Sequence, residues 1–311
     1  MTHTLRPTRE NQHGAFHAAM PPILRIASGD RILASTLDAR WHDPEQADLA
    51  ALPTKVDYAG KGHALIGPIA VEGAEPGDAL EIRLETIRPG AWGWTAAGGW
   101  PSEVNERLGV SDAEPHRTNW RIEGDRAVDP RGRTIALNPF LGWIGLMPAA
   151  EGEHSTTPPR RMGGNLDCKE LCEGTRLFLP VEVAGGLLSF GDGHAAQGDG
   201  EVSGIALECP MDRVEMTVVL HRGAAPRLPY AHTPAGLLTM GFSPNLDDAT
   251  IDALNGLVDL MAARMGVSRP EALSLASLRA DLRITQVVNE TKGVHAVLST
   301  AAITELGLLS A

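Results

Sequence analysis

Apolar and polar positions alternate in short runs over the first three quarters of the chain, the period expected of half-buried strands. Pro22-Ile-Leu-Arg-Ile26 leads into a turn, Ser28-Gly29-Asp30, and Arg31 to Asp38 is a second extended run. Ala64 to Val71 and Ala79 to Ile87 are separated by Glu72-Gly-Ala-Glu-Pro-Gly-Asp78, an acidic turn. Further strands are expected over Asn119–Val128, Thr134–Met147, 177–190 and 201–220, with a turn-rich stretch from Pro148 to Asn165. Residues 89 to 110 are rich in Gly and Trp and read as a loop. The pattern changes after Thr239. Asn245-Leu-Asp-Asp opens a helix to about Met265, with Asp in the first turn and Gly266 as its stop. Pro270 to Leu282 reads as a second helix, and Ile284–Val288 and Val294–Leu298 as strands. The expected fold class is mainly β with an α/β C-terminal part: a β-sandwich-like body over 1–240, carrying the chemistry, and a smaller α/β region over 241–311 packed on it.

Composition narrows the function. The chain has 311 residues, 43% hydrophobic and 21% charged, which suits a globular protein with an ample core. Lys and Arg number 27 against 39 Asp and Glu, a formal charge of −12. Nucleic-acid affinity rests on cations that neutralise phosphates, so no nucleic-acid partner is expected. No apolar run is long enough for a membrane span. Three cysteines without framework spacing favour a reducing, cytoplasmic setting. The 34 Gly and 22 Pro fit a turn-rich β protein.

Chemistry concentrates in Ser189-Phe-Gly-Asp192-Gly-His194-Ala-Ala-Gln197-Gly-Asp199-Gly-Glu201. Asp192 and His194 are two apart, so in extended backbone they face the same way. A carboxylate and an imidazole on one face suit a divalent metal, zinc above all. The surrounding glycines permit tight turns and close approach of a ligand. Glu201 is then a candidate base and Gln197 a candidate oxyanion or amide donor. The alternative is an exposed acidic turn.

In Met162-Gly-Gly-Asn165-Leu-Asp167-Cys168, Asn165 or Asp167 could cap a short helix. The functional alternative makes Asn165 a catalytic polar group and Asp167 a metal ligand or an orienter of one. Asp38, at a strand end, and His63, before an apolar strand, are further candidate ligands. Two other readings stay open. Cys168 or Cys172 could be a nucleophile with His194 as its base, against the plainer reading of buried thiols. A non-catalytic β-rich binding or assembly protein could hold Ca²⁺ in its acidic turns, although imidazole is a poor Ca²⁺ ligand. No Gly-x-Ser-x-Gly elbow, phosphate-binding loop or dinucleotide fingerprint is present.

Several of these strings together resemble the acetamidase/formamidase family. They are Gly67-Pro-Ile-Ala-Val-Glu-Gly-Ala-Glu-Pro-Gly-Asp78, Gly163-Gly-Asn-Leu-Asp-Cys-Lys-Glu-Leu171, Gly174-Thr-Arg-Leu-Phe-Leu-Pro-Val181, Gly191 to Gly204 and Thr239-Met-Gly-Phe242. The resemblance implies hydrolysis of a small linear amide to carboxylate and ammonia by a metal-dependent homo-oligomer with a β-sandwich-like body. It implies Asp192 and His194 as ligands, Asp38 and Asp167 as further ones, and Gln197 and Glu201 as polar groups nearby. The apolar tail Ile303 to Leu309 and exposed strand edges also suggest self-association. The chain departs from the family pattern at Ile66, where a Thr is usual, and in the compressed loop 91–100. A pocket lined by those segments would take a substrate other than acetamide or formamide.

Overall fold

The computed structural model describes residues 1–45, 51 and 53–308. Two large sheets face one another. One has nine strands and is centred on the long antiparallel pair Ala79–Pro89 and Met211–His221. The other has eleven strands, with Leu188–Ala196 near its middle between Phe140–Gly145 and Leu65–Val71. Apolar side chains from both fill one core: Ile82, Val214 and Met216 from the first sheet meet Ile66, Leu141 and Phe190 from the second. The chain is therefore mainly β, with a sandwich-like body.

The C-terminal stretch extends the nine-stranded sheet. Strands Gly236–Ser243, Lys292–Ser299 and Ala280–Gln286 pair in that order, and the last is an edge. Helices α1 (Glu103–Leu108), α2 (Leu246–Met265), α3 (Arg269–Arg279) and α4 (Thr300–Glu305) complete the described elements. Asn245 caps α2 by accepting from the Asp247 and Asp248 amides, and Gly266 ends it in the left-handed conformation. Ala253, Leu257 and Met261 of α2 form a second apolar cluster with Ala296 and Leu298 of the sheet. Among the described residues no helix is long and apolar enough to cross a membrane.

Several expected elements are corrected. The Gly- and Trp-rich segment is a strand, Trp92–Ala97, followed by α1, because Trp92 and Trp94 each have a buried place to fill. The run 177–190 is two strands, Arg176–Pro180 and Leu188–Ala196, which lie in different sheets. Helix α3 ends at Arg279, where backbone pairing with Lys292–Ser299 takes over. No helix follows Asn165. Gly163–Asn165 pairs with Phe140–Gly145 as a strand, and Asp167 turns the chain with φ 47°, so neither residue is a helix cap. Ile66 is fully buried in the core and Leu309 lies outside the described residues.

Candidate active site

The strand Leu188–Ala196 sets the site. Its partner Phe140–Gly145 places Phe140 opposite His194, and Leu207–Glu208 places Glu208 opposite His194 on the other side. Close packing demands glycine around it: a Cβ on Gly191 would lie 2.4 Å from the Ala64 carbonyl oxygen, and one on Gly193 2.7 Å from that of Cys209. Gly142 has a different neighbourhood. A Cβ there would meet His194 Cε1 at 2.6 Å, Asp192 Oδ2 at 2.7 Å and Asp167 Oδ1 at 2.8 Å. Three functional side chains thus converge over one bare backbone position.

The result is a small chamber of about 130 Å³ lined by Asn165, Asp167, Asp192, His194, Glu201 and Glu208, with His63 and Asn289 at its edge. His194 Nε2 stands 3.3 Å from Asp192 Oδ1 and 3.4 Å from Glu208 Oε2. Its Nδ1 bonds Gln197 Oε1 at 2.9 Å, and Gln197 Nε2 donates to the Asp167 carbonyl at 2.7 Å. Because Gln197 spends its N–H on a carbonyl, its oxygen must accept from His194 Nδ1. Nε2 is thereby left facing the acids, the arrangement by which outer polar groups fix the tautomer of a metal-binding histidine. Asn289 Nδ2 donates to Asp167 Oδ2 at 3.1 Å and to Gln286 Oε1 at 3.0 Å. Gln286 is tied in turn to the Asn165 carbonyl at 2.9 Å.

Three of the acids hold strained backbone. Asp167, Asp192 and Glu201 have φ of 47°, 56° and 43°, a region that costs a non-glycine residue on the order of 1–3 kcal/mol and clusters at functional sites. Electrostatics point the same way. Burial and the Glu201 charge hold the Asp167 carboxyl well above its ordinary value. Burial, with Glu208 and Asp192 adding to it and His194 opposing, pushes Glu201 up to about 8. Burial likewise raises Glu208. It opposes ionisation of Asp192 too, but His194 and His63 outweigh it and keep that carboxylate ionised. Burial lowers the imidazolium of His194, and Glu208 and Asp192 more than reverse it.

One fully buried imidazole therefore stands among four buried carboxyl groups, with half-buried His63 also in the lining. Asn165 Oδ1, Asp167 Oδ1 and Glu208 Oε2 are buried without a hydrogen-bond partner. Buried oxygens are normally satisfied, and several orphaned together in a polar cavity suit a cation. The sets Asp167, His194, Glu201 and Asp192, His194, Glu208 each bring three possible ligand atoms within 4.8 Å of one another. The donors present fit a divalent ion.

Most of the residues singled out from the sequence meet here: Asn165, Asp167, Asp192, His194, Glu201 and, half-buried, His63, whose Nδ1 is held by Thr156 Oγ1 at 2.8 Å. Gln197 stands behind His194 rather than over the chamber, with both ends of its amide engaged. Asp38 is not brought to the other acids. It is fully buried, and its oxygens accept from the His42 amide at 2.8 Å, His42 Nδ1 at 2.6 Å and Trp94 Nε1 at 2.7 Å, so in this structure it buttresses Trp94 in the chamber wall. Cys168 Sγ points away, to Glu170 Oε2 at 3.4 Å, and burial with the Glu170 charge pushes its thiol up, which opposes a thiolate nucleophile. Two residues escaped the sequence reading. Asn289 sits in a turn, and Glu208 is an acid between the buried Leu207 and Cys209, an apolar setting that was the signal.

The acetamidase/formamidase family model matches residues 1–155 and 147–303. The chain belongs to the acetamidase/formamidase family. A formamidase of Methylophilus methylotrophus is 29% identical over 243 residues, 61% of this chain and 59% of that protein. An acetamidase of Mycolicibacterium smegmatis is 29% identical over 61% of each. The chain spans about three fifths of the length of these curated relatives. The crystal structure of an acetamidase from Bacillus halodurans matches with a TM-score of 0.85 and 32% identity, covering 97% of this chain and all of the other. The two stretches matched by the family model together run from residue 1 to 303 and include every strand that builds the chamber.

Proposed function

We propose that this member of the family is a metal-dependent hydrolase of a carboxamide C–N bond, converting a small amide and water to a carboxylate and ammonia. The convergence of Asp167, Asp192, Glu201 and Glu208 on His194, with Asp167 and Asp192 meeting it above Gly142, carries this reading. Asp192, His194 and Asp167 would hold the ion, with Glu208 beside them, and a mixed nitrogen and oxygen set suits zinc. When bound, such an ion supplies Lewis-acid polarisation of the carbonyl and lowers the pKa of water toward roughly 7.

The chain's own groups supply the rest. Glu201 takes a proton from the attacking water and delivers it to the departing nitrogen, so that ammonia leaves and the carboxylate remains. The unpaired Asn165 Oδ1 accepts from the substrate amide N–H and fixes its orientation. His63 lines the same chamber. The family relationship and the names of its relatives support an amide as substrate. Three unpaired cysteines support a reducing, cytoplasmic setting, and the sheet edge Ala280–Gln286, with Leu282 and Ile284 exposed, supports a homo-oligomer.

Ammonia release from acetamide and larger amides, measured beside the metal content of the same protein, tests the proposal. The expected result is turnover that chelation abolishes and zinc restores. Full turnover at a metal stoichiometry near zero overturns the metal-dependent mechanism.

A further inference from the structure

The chamber does not end at its acids. It opens into a second, larger cavity of about 690 Å³, and Arg40, Trp94, Thr157, Gly204, Ile205 and Asn289 line both. The inner space is several times the roughly 10–15 Å³ of such volume that one water needs, enough for an amide head group. The outer space is within the range of pockets that take drug-sized molecules. An enzyme built for acetamide alone has no use for it.

The lining of the outer cavity says what it would accept. Trp94, Trp100, Pro101, Ile205, Pro244 and Val288 give it apolar walls. Its ionic groups balance: Arg40 and Lys292 against Glu103 and Glu290. Lys292 is moreover taken up by Glu103, at 3.0 Å, and by the Val287 carbonyl, at 2.8 Å. No net charge is offered to a charged substituent. Trp94 is buried with the Arg117 guanidinium over its ring, so half-buried Trp100 is the indole left to meet a flat ring.

Resting on the amide-hydrolase reading, we infer that the substrate is a primary carboxamide whose acyl group carries an uncharged aryl or branched apolar substituent, seated in this vestibule while the amide reaches the chamber. Trp100 is then a specificity-determining residue. The acyl side occupies the vestibule because the departing ammonia needs no room of its own.

The test compares kcat/KM for acetamide, isobutyramide, phenylacetamide and succinamate, read by ammonia release with the purified zinc-loaded protein. Phenylacetamide is expected to exceed acetamide by roughly 100-fold, the discrimination that a few buried carbons carry, and anionic succinamate to fall near or below acetamide. Trp100→Ala should shrink the phenylacetamide-to-acetamide ratio about tenfold. Val288→Phe, which fills the cavity from another element, should shrink it as well and covers the case of a Trp100 variant that does not fold. Acetamide turned over as well as or better than phenylacetamide, or ratios unmoved by either variant, overturns the inference and leaves the amidase reading intact. Ammonia from none of the four overturns both.

Discussion

Two buried acids in this molecule live under opposite conditions. Glu81 lies at the centre of the nine-stranded sheet with its side chain fully enclosed, yet Arg83 donates to it at 2.8 Å, His221 at 2.7 Å and Arg176 alongside. Burial works against its charge, and those donors reverse the effect and hold its carboxyl down at about 2. Glu170 is treated likewise. Burial opposes its charge as well, and His295 at 3.3 Å, with the Lys169 charge and the Cys168 thiol, holds it at about 2, while Arg283 donates to it at 2.9 Å. Glu201 has no cation beyond the one imidazole it shares with three other carboxyls, and it is pushed up to about 8. The fold evidently can supply arginines to a buried carboxylate. In the chamber Arg40 is part of the wall, yet among the described residues no arginine pairs with the four acids, oxygens are left unpaired and three backbones are strained to hold them there. The metal ion proposed above would supply the positive charge that the chain does not.

The largest expected effects break the chamber side of this contrast. Glu201→Gln keeps the shape and removes the proton carrier, so kcat should drop by about 10²–10⁴-fold with the metal retained. His194→Ala removes the group on which all four acids converge, and both turnover and metal stoichiometry should collapse. Glu201→Gln at undiminished kcat, measured by ammonia release with matched metal content, would remove Glu201 from the mechanism.

Next in size is the stability of the metal-free protein. The folded-state carboxyl of Glu201, near 8, lies above its ordinary value of 4.5, so the folded chain binds more protons than the unfolded one between those values. Stability should therefore fall by a few kcal/mol as pH rises from about 4.5 through 8. Saturating zinc should cancel that slope and add about 4 kcal/mol at a thousand times its Kd. Thermal melting of chelated and zinc-loaded protein across this range reads both, and a chelated protein more stable at pH 8 than at pH 5 would contradict the electrostatic picture.

Gln197→Ala leaves every acid in place and frees His194 to rotate. A loss of about 10–100-fold in zinc affinity is expected, the usual consequence of removing an outer partner of a metal-binding histidine. Gln197→Glu, which can still accept from Nδ1, should restore much of it. Competition with a chromogenic chelator gives the number, and unchanged affinity in the Ala variant would make Gln197 a packing residue only.

The period of two pairs Asp192 with His194 in one strand, and the structure brings them within 3.3 Å, although Asp192 itself is left-handed, with φ 56°, and not regular extended backbone. The ends of α2 were legible because Asn245 and Gly266 are local signals. Glu208 was legible only as an acid in an apolar setting, since its place opposite His194 comes from a register that no local pattern records. Asp38 was ambiguous for the same reason. An acid at a strand end looks alike whether it meets a metal or an indole N–H, and here it takes Trp94 Nε1. The helix expected after Asn165 lost to a long-range pairing with Phe140–Gly145, a tertiary contact that overrides the capping chemistry of an Asn-x-Asp segment. The strand Trp92–Ala97 was masked by its glycines, although Trp92 and Trp94 alternate in the manner of a strand.

The smallest expected effect falls on the compensated acid. Glu81→Gln keeps the volume and removes the charge that Arg83, Arg176 and His221 share, while those donors sit half-exposed and can turn to water. The cost should be about 1–3 kcal/mol at neutral pH, with turnover untouched because Glu81 lies in the sheet opposite the chamber. The sign of its pH dependence is the reverse of that for Glu201. The folded-state value, about 2, lies below the ordinary 4.5, so its contribution is complete above pH 4.5 and disappears as pH falls toward 2. Urea unfolding of wild type and Glu81→Gln at pH 7 and pH 3 should show the gap narrowing on acidification. A gap that widens instead would mean that the arginines, not the carboxylate, carry the stability of this cluster, and the contrast with the chamber would lose its reference.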